Sequence, residues 1–290
     1  MSEIEEKLEE VKHTVDKRRL GAHFSPTDVR DYRIAKVAKA IEFPAEFELN
    51  LCAVKNQGSV GSCVGHSLAE TIEYHNKEQE KTDKKMSIGF IYGNRKNSLH
   101  KQEGMIVREA LSAVCKYGDV CYEDFPYNKE VPEIINLFEK NFDKLKDKAY
   151  PNRFSTYFRL FSDSEIKQAL MNHGPVIFAM NWYRDMKVDP KTGIISTAEN
   201  KKDVEGGHCM VIYGWNENGW KIRNSWGTTW GIKGNAILPY DISRSETWGV
   251  TDEVIGENSD VVKPIFNTTF LKFLAKIINW FANLFKKSQN

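Results

Sequence analysis

The chain has 290 residues, a formal net charge of +1, 41% hydrophobic residues and 28% charged ones. That length can bury a large core as one domain or two, and the composition excludes a disordered chain. The near-neutral charge leaves no basic footprint, so nucleic acid is not expected as a partner. No zinc-ligand spacing, phosphate-cradling loop or dinucleotide fingerprint occurs, so neither a metal nor a cofactor is expected.

Residues 2–18 set Ile4, Leu8, Val11 and Val15 at helical spacing among many charges, which suits a docking helix and a solvated arm equally. The charged start, MSEIEEKLEEVKHTVDKRR, contains no apolar signal-peptide run. A cytoplasmic setting with reduced thiols is therefore expected for Cys52, Cys63, Cys115, Cys121 and Cys209. An odd count leaves at least one thiol free within the chain, while Cys115 and Cys121 are near enough in sequence for a local bridge. Residues 20–45 read as a mostly extended connector, and from Leu51 the chain becomes domain-like.

After NQGSVGSC, the residues Val64, Leu68 and Ile72 recur at helical intervals, with Ser62 placed as the N-cap. A second helix is predicted across VREALSAVCKYG, ending at Gly118. A third spans SDSEIKQALMNHG, opened by Ser162 or Asp163 and closed by Gly174. Then PVIFAMNW, HCMVIYGW, GWKIRNSW and GNAILPY read as short β-runs between Gly and Asn turns. Helices first and strands second predict an α+β fold of two packed halves with a ligand cleft between them.

Cys63 therefore falls at the first turn of a helix, where the dipole and unpaired N–H groups favour a thiolate, the attacking species. A base and a group to orient it are still needed. The β-rich half offers His208 in GGHCMVIYGW and Asn224 in GWKIRNSWGTTWG. His66, three residues after Cys63, competes as a base, although core packing suits it better. Cys209 alternates with His208 on its strand and is expected to face away, into the core.

NQGSVGSC, GGHCMVIYGW and NSWGTTWGIKG together resemble the papain-like (C1) cysteine peptidases. The chain order Gln, Cys, His, Asn matches, as does the Cys-to-His separation (208 − 63 = 145). EGMIVREALSAVCKYGDVCYEDFPYN and IKQALMNHGPVIFAMN extend the resemblance over roughly residues 44–250. It implies a papain-like two-subdomain fold, a helical half followed by a β-rich half, acting on a peptide or protein substrate through a thioester acyl-enzyme. Cys63 would be the nucleophile, His208 the general base and acid, and Asn224 the acceptor that orients the imidazole. Trp226 would shield that contact. Gln57 and the Cys63 backbone N–H would form the oxyanion hole, and Gly104, Met105 and Gly207 would line the substrate wall. The chain departs from the pattern at Val60, where a cysteine is usual, at Val64 in place of an aromatic, and at the doubled glycines, reduced here to Gly104 followed by Met105.

The resemblance also divides the chain. Residues 1–43 would form a leader, either an inhibitory propeptide of a zymogen or a structural arm. Residues 44–256 would form the peptidase domain, and 257–290 a linker and an amphipathic helix. In that tail Phe266, Phe270, Phe273, Leu274, Ile277, Phe281, Leu284 and Phe285 recur at three- and four-residue steps, largely opposite Lys272, Lys276, Asn279, Asn283 and Lys286. The pattern is too interrupted to span a bilayer and suits either a membrane surface or a protein interface. Two other functions keep the fold: a catalytically silent binding protein, and an acyl-transfer enzyme such as a transpeptidase or amidase.

Overall fold

A computed structural model describes residues 20–34, 42–80, 82–94, 103–126, 133–252 and 261–262. The patterned segments 2–18 and 264–290 lie outside the described residues. The helical part comprises α1 (Cys63–Glu80), α2 (Ile88–Gly93), α3 (Val107–Tyr117), α4 (Glu133–Ala149) and α5 (Asp163–His173). The strands are β1 (Ala22–His23), β2 (Tyr32–Ile34), β3 (Phe47–Glu48), β4 (Met105–Ile106), β5 (Thr156–Arg159), β6 (Val176–Tyr183), β7 (Val204–Asn216), β8 (Gly219–Arg223), β9 (Asn235–Leu238), β10 (Glu246–Thr251) and β11 (Val261–Val262).

Local chemistry explains the boundaries of the predicted helices. α5 starts at a capping box: Ser162 accepts from the Glu165 N–H, and the Glu165 carboxylate returns to the Ser162 N–H. α3 stops at Gly118, which takes φ 75°, a conformation that disfavours other residues. α1 buries Val64, Leu68, Ala69 and Ile72 along one stripe, with Leu68 and Ile72 each contributing about 1.5–3 kcal/mol. The short α2 begins at Ser87, whose side chain accepts from Phe90 N–H, and all six of its residues are buried. α4 is a helix not expected from the sequence pattern, although Ile134 and Phe138 at i, i+4 form its buried stripe.

Nine strands make one sheet in the order β11-β2-β5-β10-β6-β7-β8-β9, with β3 added against β7. Strand β6 divides the core by its period of two. Ile177 and Ala179 face the helices, in a cluster with Leu68, Phe90, Leu111 and Trp248. Val176, Phe178, Met180 and Trp182 face the opposite cluster, with Phe158, Ile212, Trp215 and Trp220. Residues 20–34 do more than connect: β2 enters the large sheet and β1 pairs with β4. Val261–Val262, read from sequence as linker, forms β11 and pairs with β2. Cys115 and Cys121 do not bridge; all five cysteines are free thiols.

Candidate active site

Cys63 opens α1 and His208 lies on β7, so the thiol and the imidazole come from the two halves of the fold. The backbone N–H of Cys209, the residue after His208, points at Cys63 Sγ. His208 Nε2 donates to Asn224 Oδ1 at 2.8 Å, in a buried contact. The same Oδ1 accepts from Ser225 N at 2.8 Å, which fixes the amide so that its oxygen faces the ring. Trp226 stacks on the imidazole at 4.5 Å between centroids and 21° between planes. Trp182 meets the His208 ring edge-on at 5.9 Å and Trp226 at 5.1 Å, and Trp230 closes on Trp226 at 5.6 Å. The His–Asn hydrogen bond therefore sits in an aromatic box that excludes water and strengthens it.

Gln57 is buried at 2% exposure. Its Oε1 accepts from Ser225 Oγ at 2.7 Å, and its Nε2 donates to Val60 O at 2.8 Å. The Ser225 contact assigns the amide orientation and puts the donating nitrogen on the Val60–Gly61 side, toward the start of α1. His66 is engaged elsewhere. Its Nδ1 lies 3.0 Å from Ser62 O and 3.2 Å from Ser62 Oγ, and burial lowers its pKa to about 4, so it is a neutral core group. Cys209 is fully buried in the helix-facing cluster, and burial pushes its thiol well above the ordinary range.

A segment of the chain itself fills the cleft. β1 lies parallel to β4, and Met105 N donates to Gly21 O at 2.7 Å. His23 Nε2 lies 3.2 Å from Glu103 O, and Glu103 Oε1 accepts from Gly61 N at 2.8 Å. The fit is tight on both walls. A Cβ on Gly207 would stand 2.0 Å from Ala22 O, one on Gly104 would stand 2.6 Å from Gly21 O, and one on Gly206 would stand 3.0 Å from Leu20 Cβ. Gly104, Met105 and Gly207, the expected substrate wall, thus all touch this strap. Below it, a Cβ on Gly21 would stand 1.8 Å from Gly61 O, so a residue without a side chain is required.

The thiol beneath the strap is fully buried. Cys63 has no exposed surface, and burial pushes its pKa up to about 11, against the pull of N–H groups from Cys209, Gly21 and Val64. In this closed arrangement the sulfur is a protonated thiol. Gly21 presents an N–H to it, while the Gly21 carbonyl is turned away to Met105.

Trp182, Ser225 and the Leu20–Phe24 strap belong to this arrangement without a sequence pattern that singles them out. The signal for Trp182 is an aromatic on the buried phase of β6. The strap's signal is a glycine in an extended connector, too common to single out.

A model of the papain family of cysteine proteases matches residues 44–256. An uncharacterised peptidase C1-like protein of Acanthamoeba polyphaga mimivirus is 26% identical over 286 residues, covering 89% of this chain and 88% of that one. Mouse cathepsin O is 25% identical over 195 residues, which are 63% of this chain and 57% of its own length. The chain thus spans nearly all of the viral relative and just over half of the cathepsin. Among solved structures, xylellain, a cysteine protease from Xylella fastidiosa, superposes with a TM-score of 0.72 at 22% identity, covering 82% of this chain and 97% of that one. The α+β papain-like architecture expected from sequence is the fold observed, and the chain belongs to the papain family of cysteine proteases.

Proposed function

We propose that the protein is an endopeptidase made as a zymogen, with Cys63, His208 and Asn224 as its catalytic residues. The observation that carries this reading is the His208–Asn224 pair, 2.8 Å apart beneath Trp226, beside a thiol covered by the chain's own leader. Once the strap leaves, His208 takes the Cys63 proton and the thiolate attacks the substrate carbonyl carbon. The negative oxygen that forms is met by the Gln57 amide and the Cys63 backbone N–H. The imidazolium gives its proton to the leaving amine as the C–N bond breaks, leaving a thioester on Cys63. Water, deprotonated by His208, then hydrolyses the thioester and restores the thiol. Asn224 holds the ring orientation throughout, its Oδ1 accepting the hydrogen bond from His208 Nε2–H.

Two further features support parts of this reading. The strap enters and leaves the cleft as continuous chain from Leu20 to Phe24, as a substrate cut internally must, which favours an endopeptidase. The turned-away Gly21 carbonyl explains how the leader occupies the site without being cut. The proposal takes 1–43 as the leader, 44–256 as the peptidase domain and 257–290 as the tail, with leader removal near Phe43. Pro44 O accepts from Trp215 Nε1 at 3.0 Å and Phe47 stacks on Trp215 at 4.9 Å, so a cut there would leave the new N-terminus stitched to β7.

Incubating the full chain, and one beginning at Pro44, with an unbiased peptide library and reading products by mass spectrometry tests the reading. Internal hydrolysis, faster for the shorter chain, supports it. Amine-capped products would indicate a transpeptidase, and no products from either chain a silent binding protein. For the tail we propose a docking role of its amphipathic segment on a protein or a membrane surface, with a cytoplasmic setting for the whole. Flotation with anionic liposomes, with and without residues 264–290, separates the two surfaces.

A further inference from the structure

We propose that the C-terminal strand is a latch on the leader: β11 holds β2 in the sheet and thereby keeps the Leu20–Phe24 strap seated over Cys63. The inference rests on the reading of residues 1–43 as an inhibitor. Strand β2 has three residues and pairs with β5 through Tyr32↔Phe158 and Arg33↔Arg159. Its other side is covered by β11, through Val261↔Ile34 and Val262↔Arg33. Arg33 is thus paired on both flanks. Without β11, β2 would be a very short edge strand with its outer N–H and C=O groups open to water, the kind of strand that frays.

Between β2 and the cleft the leader is fastened to the body of the protein at Asp31 and at Ser25. Arg108 Nη2 reaches Asp31 Oδ2 at 2.6 Å, with the carboxylate side chain 6% exposed. Ser25 Oγ accepts from Arg108 N at 2.9 Å, and Ser25 N donates to buried Glu246 Oε1 at 3.0 Å. Gly21 follows four residues upstream, against the thiol. The strap is held directly by its pairing with β4 and by the Gly21 O bond to Met105 N; the Ser25 and Asp31 fastenings continue that hold toward β2, and β11 closes the run. A cut between β2 and Phe43 would then leave the inhibitory fragment clamped between β5 and β11. Cutting and release are separate events, and displacement of β11 sets the second.

The test uses the full chain, with Val261→Pro/Val262→Pro to remove both β11 N–H groups and Val261→Gly/Val262→Gly as a milder change. The readouts are the rate of Cys63 alkylation by iodoacetamide and amide exchange at Tyr32–Ile34, with exchange along β6 and β7 reporting the fold. The proline pair is expected to speed alkylation roughly 10-fold or more, the scale of one or two lost backbone hydrogen bonds, with β6–β7 protection intact. The glycine pair should act in the same direction and less, and it decides the matter if the prolines disturb β6–β7. Slow alkylation of the unaltered chain, unchanged in the variant that decides, overturns the latch and leaves the inhibitory leader standing. Alkylation of the unaltered chain as fast as an unhindered thiol overturns both.

Discussion

Gly21→Ala is the smallest perturbation that separates an occluded Cys63 thiol from an open one. A Cβ at this position would stand 1.8 Å from Gly61 O and 2.4 Å from Gly61 C, both backbone atoms that cannot rotate aside. The strap must lift, which breaks the 2.7 Å bond between Met105 N and Gly21 O and withdraws the Gly21 N–H from Cys63 Sγ. Overpacking of this kind costs about 1–3 kcal/mol and the lost Met105–Gly21 hydrogen bond about 1 kcal/mol, or about 2–4 kcal/mol together. That corresponds to a roughly 30- to 1,000-fold rise in strap opening. The assay is iodoacetamide labelling of Cys63, followed by peptide mass spectrometry at neutral pH. The pH dependence has a definite sign. The docked thiol has its pKa raised to about 11, so the docked state keeps a proton that the open state sheds. Docking is at full strength below the open-state pKa and weakens as pH rises from there toward 11. Labelling of the unaltered chain should therefore climb with pH more steeply than that of Gly21→Ala. Equal labelling rates for the two chains at neutral pH would refute the argument.

Gln57→Ala should lower kcat by roughly 10²–10³, the cost of one oxyanion donor, with unfolding of the protein checked by denaturant titration. Trp226→Ala removes the face stacked on His208 and should cost about 3–5 kcal/mol of stability together with activity, while Trp226→Phe recovers part of both in the same two assays. Glu246→Gln leaves Arg159, 3.0 Å away with its side chain 7% exposed, without its buried partner. A loss of roughly 3–5 kcal/mol in unfolding free energy, read by denaturant titration, is expected. Replacing Glu246 and Arg159 together by apolar residues should cost less than either single change.

The sequence made the site legible where chemistry demands particular residue types. Cys63 at a helix start, His208 after paired glycines and Asn224 in NSW are local signals, and Ser162, Gly118 and Gly174 fix helix ends by capping alone. What escaped is what depends on long-range placement. Nothing local in Tyr32–Ile34 says that it joins β5 on one side and β11 on the other. Gly21 looks like any glycine in an extended stretch until Gly61 is brought beneath it. Trp182 reads as core, and only the fold turns its edge toward His208. α4 shows its i, i+4 stripe faintly because only Ile134, Phe138 and Ala149 of its seventeen residues are buried.

If Cys63 is the nucleophile that carries the acyl group, intact-mass spectrometry of the Gly21→Ala chain will catch it acylated. The protein would be mixed with an activated peptide ester and quenched in acid within milliseconds to seconds. One acyl adduct is expected, mapped to Cys63, which disappears as the free acid forms and is absent from the Gly21→Ala, Cys63→Ala chain. Product formed without any adduct on Cys63, or an adduct on another thiol that turns over at the same rate, would contradict it.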